Sequence, residues 1–82
     1  MAIKVIITNL AEIPQGTKTT VGVPISLQSD YLSPASYSAG INFNVVDATS
    51  RREAITKALD QLIELANEIK QGAISAKNDL GT

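Results

Sequence analysis

The chain contains no cysteine, no histidine and no tryptophan, and its aromatics are one phenylalanine and two tyrosines. Lack of cysteine removes any disulfide framework or thiolate metal site. Lack of histidine removes the commonest general base, proton shuttle and metal ligand. Neither sign of charge dominates: seven basic and eight acidic residues leave a net charge of −1, so the basic footprint that a nucleic-acid backbone requires is missing. No apolar run approaches the roughly 20 residues of a membrane helix. The opening MAIKVIITNL lacks the continuous apolar stretch and cleavage site of a secretion signal. There is also no Gly-x-Ser-x-Gly, no P-loop and no pair of carboxylates placed across a cleft. The expectation is a non-enzyme with no catalytic residue, no metal and no cofactor, and with neither nucleic acid nor membrane as partner.

What remains is a chain of 82 residues with a hydrophobic fraction of 44%, enough for one folded domain and too short for a second core. At this size the stability margin is thin, about 5 kcal/mol, and oligomerisation is a common remedy. Charge is distributed unevenly. Residues 1–50 carry Lys4, Glu12, Lys18, Asp30 and Asp47, whereas residues 51–82 carry ten charged side chains. The hydrophobic period changes from two to about three and a half at the same boundary, which marks a change from strands to helix.

Three strands are predicted, at about 2–9, 20–28 and 40–46. In the first, Ile3, Val5 and Ile7 alternate with Lys4, Ile6 and Thr8. Ile13-Pro14-Gln15-Gly16 reads as the turn that follows. In the second, Val21, Val23, Ile25 and Leu27 form one face, and Thr20, Gly22, Pro24, Ser26 and Gln28 the other. Pro24 cannot donate a ladder hydrogen bond, so this strand is expected at a sheet edge or beside a bulge. SDYLSPASYS, residues 29–38, reads as a loop in which Ser29 and Asp30 start the turn. The third strand points Ile41, Phe43 and Val45 one way and Asn42 and Asn44 the other.

A helix is predicted over about 51–71. Ser50-Arg51-Arg52-Glu53 fits a capping box, with Asp47 or Thr49 as alternative caps. Ile55, Leu59, Leu62, Ala66, Ile69 and Ala73 recur with four-three spacing, and Gly72 suits a helix stop. Residues 73–82 are expected to form a flexible tail. The predicted fold is a small two-layer α+β domain of β-β-β-α order, a three-stranded, mostly antiparallel sheet covered on one face by one C-terminal amphipathic helix.

Between Val21 and Val46 only Asp30 is charged. The sheet face turned away from the helix would therefore show mainly small uncharged groups, with Lys4 as its single charge. Such groups cost little to desolvate, and interface cores are depleted in charge. The candidate interface residues are Thr8, Thr20, Ser26, Gln28, Asn42 and Asn44, with Tyr31 and Tyr37 as loop anchors. A solvated Ser/Thr/Asn face on a monomer, and tyrosines folded back over the core, are the competing interpretations. Arg51 and Arg52 are candidates for contact with an anion or an acidic partner, or else pair with Asp47 or Glu53. Asp60, Glu64 and Glu68 form an acidic line expected to be a solvated face.

In composition the chain resembles an accessory subunit of a larger assembly, such as a phage or virion component. The expected function is structural: a protein that oligomerises with itself, or docks into a larger protein assembly, through a charge-poor sheet face and edge. The alternative is a small binding protein, an inhibitor of a host factor or a scavenger of a small anionic ligand, with Arg51, Arg52 and the tyrosine loop lining a pocket between protomers. The expected location is the cytoplasm or a virion.

Overall fold

The computed structural model describes residues 3–81; the predicted strand start at residue 2 and the last tail position, residue 82, lie outside the described residues. Along the chain run β1 (Lys4–Ile7), β2 (Ala11–Gln15), β3 (Lys18–Gln28), β4 (Ser36–Val46) and α1 (Arg51–Gly81). The sheet is antiparallel throughout. β3 is central, paired along its whole length with β4 on one side and with β1 and then β2 on the other.

There are four strands where three were expected because the first one is interrupted and then resumes. Ile7 pairs with Ile25 and Ala11 with Gly22, so Thr8, Asn9 and Leu10 stand opposite only Val23 and Pro24. This is a bulge, with Asn9 at φ 58°, a left-handed conformation that asparagine tolerates better than most residues. The extra residue resets the alternation. Val5 and Ile7 face the helix side and Leu10 packs against the core, while Ile13 shares the opposite face with its partner Thr20.

Pro14 and Pro24 are both explained by one alternation. Gln15 and Lys18 close a two-residue hairpin through Gly16-Thr17, with Gly16 at φ 65° as such turns require. A closing pair exchanges both hydrogen bonds, so even-numbered residues of β3 direct their backbone groups toward β1 and β2, and odd-numbered ones toward β4. Pro24 thus presents its missing N–H to the bulge, where the ladder is already broken. Pro14, one residue before the closing pair on an edge strand, directs its ring nitrogen outward. β3 is therefore not an edge strand, and Ile13-Pro14-Gln15 is strand, with the turn confined to Gly16-Thr17.

The core is small. Val21, Val23, Phe43 and Val45 on the sheet meet Ala54 and Ala58 on the helix, and these six are the buried hydrophobic residues among those described. Each buried Val or Phe contributes about 1.5–3 kcal/mol. The helix begins as the capping box predicts: the Glu53 N–H donates to Ser50 Oγ at 3.1 Å. The Glu53 carboxylate accepts from the Thr49 N–H at 2.8 Å, one residue earlier than the usual box.

The helix does not stop at Gly72. It continues to Gly81, through the residues expected to form a flexible tail, and all of positions 66–81 are exposed. Ala73-Ile74-Ser75-Ala76-Lys77 has adequate helix propensity, whereas one interior glycine costs only about 1 kcal/mol. At 31 residues the helix is about 46 Å long, against about 36 Å for an 11-residue strand. The radius of gyration of 15.6 Å exceeds the roughly 12 Å of a compact domain this size. Among the described residues no helix is long and apolar enough to cross a membrane.

Two substitutions test this core by chemical denaturation. Val23→Ala should cost about 2 kcal/mol through the cavity it leaves. Ala58→Leu should cost about 1–3 kcal/mol through overpacking; an unchanged midpoint for Ala58→Leu would mean that the first helical turns do not seat on the sheet.

Candidate functional site

Two surfaces are left open by this fold, one on each side of the sheet. The first lies between sheet and helix. Alanines at 54 and 58 let the helix approach closely at its start, whereas Leu62 and Leu65 further along are only partly buried against the core and Ile69 is exposed. The result is a wedge-shaped groove of about 540 Å³, walled by Val5, Ile7, Ile25, Leu27, Tyr37, Ala39 and Ile41 from the sheet and by helical residues from Leu62 to Ile69. Its lining is almost wholly apolar. Val5 is 53% exposed, Ile63 68% and Ile69 64%.

The second surface is the sheet face away from the helix. The register places Thr20 opposite Asn44, Gly22 opposite Asn42, Ser26 opposite Ser38 and Gln28 opposite Ser36. Thr20 Oγ1 donates to Asn44 Oδ1 at 3.4 Å, and the Ser26 and Ser38 hydroxyls are also 3.4 Å apart. Both are long for O–H···O bonds, so these groups keep hydrogen-bonding capacity for another partner. Asn42 Oδ1 would lie 3.2 Å from a Cβ at position 22, so glycine there lets the amide lie flat over the sheet. Lys18 belongs to this face as well as Lys4, since it shares the parity of Thr20 and Ser26. The two lysines sit at opposite ends, and the span between them is uncharged.

The outer edge of β4 continues this surface. By the same alternation, the even-numbered residues of β4 point their backbone groups away from β3. At one end those carbonyls are taken: Gln61 Nε2 donates to the Asn44 carbonyl at 3.2 Å, and Lys57 Nζ to those of Val46 and Asp47 at 3.1 and 3.4 Å. Residues 36–42 carry no charge and no proline, and charge and proline are what natural edge strands use to prevent further pairing.

The predicted site residues are distributed as follows. Thr20, Ser26, Gln28, Asn42 and Asn44 are brought together on the open face, whereas Thr8 falls in the bulge, outside the paired ladder. Tyr31 is an exposed loop residue, its N–H bonded to Ser29 Oγ at 3.1 Å, so Ser29 does start the turn. Tyr37 is not in the loop. It belongs to β4, pairs with Leu27 and lines the groove, and its hydroxyl donates to the Ser33 carbonyl at 2.5 Å. The sequence places residues 36–38 in a loop because Ser36 and Ser38 hide the alternation there.

Arg51 Nη2 donates to the Leu10 carbonyl at 3.3 Å, which ties the helix start to the bulge, while Glu53 is occupied by Thr49. Helix start and tyrosine loop lie at opposite ends of the sheet, since Val46 pairs with Lys18 and Ser36 with Gln28. One chain therefore does not join Arg51, Arg52, Tyr31 and Tyr37 in a pocket. Among the described residues no buried side-chain polar atom lacks a hydrogen-bond partner. The groove has no counterpart among the sequence expectations: its signal is Ile63 beside the main stripe and the apolar residues that run on past Gly72, where a flexible tail is expected. No protein-family model, curated protein or solved structure matches the chain at a significant level.

The polar seam between helix and β4 is testable. Replacing Lys57 and Gln61 together by Ala should lower the denaturation midpoint by the equivalent of about 1–2 kcal/mol, with an unchanged m-value. No loss would show that these side chains do not hold the helix.

Proposed function

We propose that this chain is a non-enzymatic assembly subunit that associates with copies of itself, or with a larger protein assembly, through its charge-poor sheet face and the adjoining edge of β4. The observation that carries the proposal is the unprotected edge. From Ser36 to Asn42 the strand is exposed apart from half-buried Ile41, and its partners on the open face are Gln28, Ser26, Pro24 and Gly22. A strand of another chain can add there by main-chain hydrogen bonding, with Thr20, Ser26, Ser38, Asn42 and Asn44 desolvated at little cost. An accessory part of a phage or virion particle is one setting that suits such a subunit.

In the anion-scavenging alternative the pocket would have to form between two protomers, because within one chain Arg51 is engaged by a backbone carbonyl and stands at the far end from the tyrosines. Substituting Arg51 and Arg52 with Ala should accordingly leave the assembly state unchanged.

Introducing Lys at Ser38 and Asn44 places like charge on the edge and the face. Native mass should fall to a smaller species by light scattering while the helical circular dichroism is kept. If the mass is unaffected, neither the face nor the edge of β4 is the contact.

A further inference from the structure

We propose that the apolar groove is covered by the protruding helix of a second copy, in an antiparallel, two-fold arrangement centred near Gly72. This rests on the assembly reading above but uses the other side of the sheet. The helix carries its own cover for a groove it cannot fill. Ile69, Ala73, Ala76 and Leu80 continue the four-three stripe of Leu62 and Ala66, yet Ile69 is the last helical residue to line the groove, and beyond it the stripe is exposed to its end, Leu80 at 86%. The same apolar register that seats the first turns is therefore repeated, unpartnered, over about the last three.

The area matches. Val5, Tyr37, Ile63, Ile69 and Leu80, each between 47% and 86% exposed, together with the alanines beside them, present on the order of 700 Å² per chain, close to the roughly 800 Å² per partner of a standard interface. Orientation follows from what must be covered. A parallel pair would bury the two overhangs against each other and leave the sheet wall of each groove, Val5 and Tyr37, open. An antiparallel pair overlapping about Gly72 lays each overhang back across the partner's groove, so one contact closes both. Gly72 then sits where two helix backbones cross. Within one chain nothing lies within 4 Å of a Cβ built there, so the monomer offers no packing reason for glycine, whereas a close helix crossing does.

In this arrangement Leu80 of one copy lies beside Ile63 of the other. Within one chain these positions are separated by 17 helical residues, about 25 Å, far beyond the roughly 7 Å limit for a disulfide. The native chain has no cysteine, so the test has no background. Ile63→Cys and Leu80→Cys chains, both altered at exposed positions, are mixed and oxidised. The expected result is a covalent dimer in the mixture and none from either variant alone, with a native mass of twice 8.7 kDa before oxidation. Ile69→Asp, also at an exposed position, should weaken that dimer by about 30-fold or more, the effect of losing an interface hot spot. A covalent dimer from Leu80→Cys alone would indicate parallel pairing and overturn the proposal. An oligomer by mass with no mixed disulfide overturns it too while leaving assembly through β4 standing. A monomer at high micromolar concentration overturns both.

Discussion

Everything in this molecule depends on two alanines seated against three valines and a phenylalanine. Ala54 and Ala58 let the helix backbone come down onto Val21, Val23, Phe43 and Val45, and that contact fixes which sheet face is inside. Once it is made, strand alternation assigns every other side chain: Ile25, Leu27 and Ile41 to the helix side, Thr20, Ser26 and Asn44 to the outside. The fully buried part of the contact is confined to the first two turns, and Leu62 and Leu65 beyond them pack on the core only partly buried. Its shortness is the source of the groove, because a long helix anchored at one end over a short sheet has to run past it.

The bulge and the polar seam have the complementary task of holding this small core in register. Asn9 gives the edge strand one residue too many, which keeps Val5, Ile7 and Leu10 on the core side and turns Ile13 out. Arg51 reaches from the helix start to Leu10 beside that bulge. Lys57 and Gln61 fasten the helix to the far edge of the sheet. These bonds span β2 to β4 under one helical segment, so the anchored half is clamped on both flanks while the half beyond Ala66 is not.

The strands and the helix start were legible because their signals are local. Val21, Val23, Ile25 and Leu27 alternate cleanly, and Ser50 with Glu53 marks the cap. The interrupted first strand was not legible, since a bulge leaves no mark beyond an asparagine, and Pro14 resembles a turn residue until the edge position of β2 is known. The helix end was not legible because Gly72 suits a stop but does not impose one: with no left-handed turn formed there, the chain simply continues. Of the candidate interface, the five residues Thr20, Ser26, Gln28, Asn42 and Asn44 follow from alternation alone. The groove depends on where the helix leaves the sheet, a matter of side-chain volume between layers that periodicity does not encode.

Lys57 and Gln61 have one further effect. By occupying the Asn44 and Val46 carbonyls they act as a fence at one end of the β4 rim. An incoming chain zipping along that rim from the Ser36 end runs out of free acceptors after Asn42. The reach of any added strand is thus capped at a few rungs, which would make the joint short, reversible and confined to a single alignment.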